Sequence, residues 1–74
     1  MKITEQMLKD IRDEMIRRLQ YTVHDAGIKS ERVILEMWAD MLQGCYATLM
    51  TIATNWSDTV AMMDRIGFDE LDWR

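Results

Sequence analysis

Met-Leu-Gln-Gly-Cys-Tyr-Ala-Thr-Leu-Met-Thr-Ile-Ala-Thr-Asn-Trp-Ser, residues 41–57, holds no charged residue, and everything about the fold turns on how it is read. Three readings compete. A membrane span needs about 20 mostly apolar residues; this stretch has 17 and contains Gln43, Gly44, Thr48, Thr51, Thr54, Asn55 and Ser57. A strand is suggested by Tyr46, Thr48, Thr51, Ile52, Thr54 and Trp56, which favour sheets. No second strand-like run exists for it to pair with, and no hairpin turn adjoins it. The helical reading survives.

As a helix the stretch extends an apolar stripe of Ile34, Trp38, Met41, Cys45, Leu49, Ile52 and Trp56. A second stripe of Leu35, Leu42, Tyr46, Met50 and Ala53 runs beside it. Glu31, Arg32, Glu36 and Asp40 give the first half a wet side, and the second half has none. A helix that is apolar all round has to be covered all round, and one antiparallel neighbour cannot do that. Helix two, over about residues 31–55 with Ser30 as its cap, is therefore expected to need a third helix, a sister chain or a target.

Working outward, helix one is expected over about residues 5–26. Thr4 suits the N-cap, and Ile3 and Leu8 have the spacing of a hydrophobic staple. Leu8, Ile11, Met15, Leu19, Val23 and Ala26 form one stripe; Glu5–Lys9, Asp13–Arg17 and Glu14–Arg18 put acid before base on the other side. Gly27 followed by Ile28 predicts a Schellman ending on Val23. Helix three is expected over about residues 57–66, with Val60, Met63 and Ile66 inward. Gly67 and Phe68 repeat the same ending on Met63. Residues 67–74 then make an acidic-aromatic tail. The expected fold is one all-α domain over residues 1–74: an antiparallel hairpin of two long helices and a short third, assembling as a helical-bundle homo-oligomer.

Length supports an assembly. A chain of 74 residues hides only about 60–65% of its unfolded surface and usually needs a staple. One cysteine permits no internal disulfide, which leaves a partner, most simply a second copy. Met41, Gly44, Cys45, Thr48, Leu49, Ile52 and Trp56 are the residues expected to self-associate. Gly44 costs helix stability, about 1 kcal/mol against alanine, and suggests close approach of another helix.

Charge excludes some functions. Net charge is −4, and residues 58–74 carry five acids against two bases. Nucleic-acid binding calls for a basic face, so no nucleic-acid partner is expected. The opening Met1-Lys2-Ile3-Thr4-Glu5 runs straight into a charged amphipathic segment rather than a secretory signal. Together with the single thiol, this leads to an expected cytoplasmic location with no membrane partner.

Catalytic chemistry finds little support. His24, the lone histidine, sits in the last turn of helix one, where the dipole favours it; Cys45 lies in apolar surroundings where thiols are inert. The acids invite comparison with all-α nucleotide pyrophosphohydrolases, whose carboxylates on adjoining helices hold magnesium in a pattern that resembles Glu-x-x-Glu followed by Glu-x-x-Asp. Here the pairs read Asp10-x-x-Asp13 and Glu36-x-x-x-Asp40, with Arg12, Arg17 and Arg18 interleaved. The spacing fails, and a salt-bridged wet face is expected instead. No metal, cofactor or catalytic residue is assigned.

What remains is an interaction module. In size and composition the chain resembles the small acidic inhibitors and adaptors of bacteriophages and mobile elements, including anti-defence proteins. That resemblance implies a non-enzymatic protein that binds and blocks a target in a bacterial host. The expected partner interface is Phe68, Asp69, Glu70, Leu71, Asp72 and Trp73, with Phe68 and Trp73 as anchors against a basic surface. An alternative is an oligomer that sequesters an anionic nucleotide between subunits at Arg17, Arg18, Tyr21 and His24; magnesium-dependent nucleotide hydrolysis is a further alternative.

Overall fold

Thr4, Gly27, Ser30 and Gly67 mark the helix boundaries expected of them in the computed structural model, which describes residues 1–71. Helix α1 spans Glu5–Ala26, α2 spans Glu31–Ile52 and α3 spans Trp56–Ile66; no strand occurs among the described residues. The side chains of Thr4, Ser30 and Asn55 accept from the N–H groups of Met7, Val33 and Asp58. Each satisfies a donor that a helix start otherwise leaves unpaired. Gly27 and Gly67 end α1 and α3 in the left-handed region, at φ 65° and 63°. Behind them the Ile28 N–H donates to Val23 O at 3.1 Å and the Phe68 N–H to Met63 O at 2.9 Å, the six-to-one bond of a Schellman ending.

The junction after α2 differs from the sequence reading. Helix two stops at Ile52 rather than near residue 55, and α3 begins at Trp56 rather than 57. The reason is Asn55, which cannot both continue α2 and cap α3. Ala53 closes the last turn by donating to Leu49 O at 2.8 Å. With no basic residue in that turn, the Met1 ammonium donates to Ile52 O at 2.7 Å, and the Thr54 N–H donates to Met1 O at 2.8 Å.

Two 22-residue helices are each about 33 Å long at 1.5 Å per residue, and the body measures 39 × 18 × 16 Å. They lie side by side and antiparallel across the short link 27–30. The radius of gyration is 13.1 Å, against about 11 Å for a compact chain of this length, so the core is a narrow strip. Ile3, Leu8, Met15, Leu19 and Val23 fill it from the first segment, Ile34, Trp38 and Leu49 from α2, and Met63 and Phe68 from the end. Thr59 is buried with its hydroxyl donating to Asn55 O.

Phe68 is the main correction. Expected as an exposed anchor, it is fully buried, at 0% exposure. The Schellman bond turns residue 68 back onto Met63, and two side chains hold the turn down. Arg12 donates through Nε to Gly67 O at 3.1 Å and through Nη2 to Glu70 O at 2.9 Å. The Trp38 indole N–H donates to Asp69 O at 3.1 Å.

Candidate interaction surfaces

Helix α2 faces its neighbours along one line and leaves two flanks. On the α1 side, Ile11 and Met15 meet Met41, Cys45 and Leu49 to floor a groove of about 580 Å³. Gly44, Thr48 and Ile52 form its α2 wall, and Asp10, Glu14 and Arg18 rim the α1 side. Six of the seven residues expected to self-associate thus share one groove. Leu49, however, is itself buried within the chain. The seventh, Trp56, opens α3 and lies on the other flank beside Tyr46, Met50 and Val60.

The α2 wall of the groove, and Thr51 beside it, offer no free hydroxyl donor. Thr48 Oγ1 donates to Gly44 O at 3.0 Å and Thr51 Oγ1 to Ala47 O at 2.9 Å. These hydroxyls are satisfied within the helix, so covering them leaves no polar group unpaired. A Cβ placed on Gly44 would meet nothing within 4 Å; no contact inside the chain accounts for the glycine. Burial pushes the Cys45 thiol up from its ordinary pKa, which keeps it protonated and a poor nucleophile.

The α3-side flank is more exposed. Met50 is 58% open to solvent and Val60 44%. Between them Tyr46 packs its ring 6.0 Å from that of Phe68, at 48°. Burial, then the charge of Asp69, then Cys45 raise the Tyr46 phenol. Asp64 and Asp69 stand at the edge of the cleft that Tyr46, Met50 and Val60 form. This is an apolar surface with an acidic margin, and it comes from the second stripe rather than from the tail.

Of the expected partner interface, Asp69 and Glu70 are exposed and Leu71 is half-buried; Asp72 and Trp73 lie outside the described residues. Phe68 is in the core, so the segment offers acids without its aromatic anchor. At the alternative ligand site, Arg17 and Arg18 both pair with Glu14, at 2.9 and 3.1 Å, beside the exposed Tyr21. Arg17 reaches Glu14 rather than the Asp13 that four-residue spacing predicted. His24 is exposed and does not join the hollow formed by Arg17, Arg18 and Tyr21. An anion there would have to displace Glu14 from both guanidiniums.

Glu36 pairs with Arg32 at 3.2 Å and Glu5 with Lys9 at 3.7 Å. Among the described residues no three His, Cys, Asp or Glu side chains come together as a ligand set for a metal ion. No helix there is long and apolar enough to cross a membrane.

Sequence reasoning missed Arg12, which it placed on the wet face. The signal was present: residues 8, 12, 15, 19 and 23 follow one stripe of α1, and Arg12 is the cation among four core residues. A guanidinium at such a position needs carbonyl or carboxylate partners, and the turn after α3 supplies them. Comparison with known protein families, curated proteins and solved structures finds no match to this chain.

Proposed function

We propose that this chain is a small acidic protein-binding module rather than an enzyme, an inhibitor or adaptor of the phage and mobile-element kind. In this reading it works in the cytoplasm of a bacterial host as a homo-oligomer, the dimer being the smallest form. It acts by covering a basic surface of a target protein. One observation carries the reading: the open apolar flank formed by Tyr46, Met50, Trp56 and Val60, bordered by Asp64 and Asp69. Exposed large apolar residues with a charged margin are the usual make-up of a recognition surface. The acidic margin selects a basic partner and speeds its approach. With Phe68 committed to the core, Tyr46 and Met50 take over the anchoring role that the sequence placed in the tail.

The test is calorimetric titration with an amphipathic Lys/Leu helical peptide as a stand-in for a basic, apolar target. Affinity should fall as ionic strength rises, because exposed charge pairs are screened within about 10 Å at 0.1 M salt. Met50→Lys should weaken binding at least tenfold, about 1.4 kcal/mol. Binding indifferent to both salt and Met50→Lys would remove the proposal.

A further inference from the structure

We infer that a second copy of this chain occupies the α1–α2 groove, its α2 lying antiparallel to the first across a two-fold axis at Gly44. The inference deepens the self-association part of the proposed function and rests on it. Charge identifies the occupant. Each copy carries −4, and residues 41–57 are free of charge. Along α2 itself two like-charged copies can meet there without opposing carboxylates, with Asp10 and Glu14 confined to the α1 rim and Glu14 held by Arg17 and Arg18, whereas a basic target is drawn to the acidic flank on the other side of α2. Charge also sets the direction. In a parallel, in-register pair Asp40 would face Asp40; about an axis at Gly44 it faces Thr48, and the charged first half of each α2 lies against the uncharged second half of the other. Met41, Gly44, Thr48 and Thr51 recur at spacings of three, four and three, the seam along which two helices pack. Gly44 then acquires the role it lacks within one chain, since its open Cβ position lets the partner backbone come close. The internally bonded hydroxyls of Thr48 and Thr51 can be covered without losing water partners. A two-fold of this kind leaves both acidic flanks outward.

Solution mass across a dilution series of the full chain, with two variants, tests this. The native chain should be a dimer that dissociates on dilution. Gly44→Leu should lower the association constant more than tenfold while melting no lower as a monomer, because leucine is the better helix former and space is open. Met50→Lys, on the opposite flank, should leave the mass unchanged. In a Cys45→Ser background, Gly44→Cys should cross-link between copies on mild oxidation. Thr51→Cys should not, being separated from its equivalent by about 21 Å along the axis at 1.5 Å per residue, well beyond the roughly 7 Å a disulfide tolerates. A dimer indifferent to Gly44→Leu, or one that cross-links through Thr51→Cys, overturns the groove and its direction while leaving self-association standing. A monomer at every concentration overturns self-association itself. Peptide binding by Gly44→Leu reads the target surface separately from either.

Discussion

The turn after α3 and the second half of α2 exchange the places their composition suggests. Residues 67–70 set one phenylalanine among two acids and read as surface, yet Phe68 is sealed and three backbone carbonyls of the turn are held by Arg12 and Trp38. Residues 44–52 carry no charge and read as core, yet only Leu49 among them is fully enclosed. Hydropathy states what a residue would prefer. Whether it is covered depends on what else the chain can bring to that spot, and a 74-residue chain has too little to cover every side of α2.

Truncating each region should separate them most sharply. Phe68→Ala removes a fully buried ring and should cost about 3 to 5 kcal/mol, read as a lower denaturant midpoint. Met50→Ala, in the open region, should stay within about 0.5 kcal/mol. Equal costs would mean that the two regions are not distinct.

The same substitution at two glycines should carry opposite signs. Gly67 sits at φ 63°, and a Cβ there would come within 2.8 Å of the Glu70 carboxylate. Gly67→Ala should therefore destabilise by about 1 to 2 kcal/mol, mostly through the left-handed backbone. Gly44→Ala meets nothing and should stabilise the monomer by up to about 1 kcal/mol. Thermal melts at low protein concentration compare the two without interference from assembly.

The smallest effect concerns pH. Burial raises both Cys45 and Tyr46, so the folded chain holds these protons longer than the unfolded one. Stability from this source is complete below the ordinary thiol range, about pH 8.5, and declines as pH rises through it. Cys45→Ala should flatten the first part of that decline in urea midpoints taken between neutral and alkaline pH. If a second copy covers Cys45, the decline should be steeper at high protein concentration than at low.

Most of the fold was legible because it is written in short-range chemistry. Thr4 and Ser30 name the starts of α1 and α2, and Gly27 and Gly67 the ends of α1 and α3, each through a bond spanning three to five residues. Phe68 was legible too: the six-to-one bond predicted from Gly67 points residue 68 at Met63, which is incompatible with an outward anchor. Local turn geometry should have outweighed acidic neighbours there. Arg12 was harder, since its partners lie 55 and 58 residues away and no local pattern announces them. Of the first stripe of α2, Met41, Cys45, Leu49 and Ile52 line the groove. Which stripe would stay more exposed depended on where α3 docks, and that is a tertiary fact.

The closing turn has a consequence for how the molecule is made. Residues 67–70 leave the ribosome after both helices that they lock, so the nascent hairpin passes through a stage with the Trp38 indole unpaired and the hollow for Phe68 empty. The lock that Arg12 and Trp38 make on this turn can close only once residues 67–70 have been made.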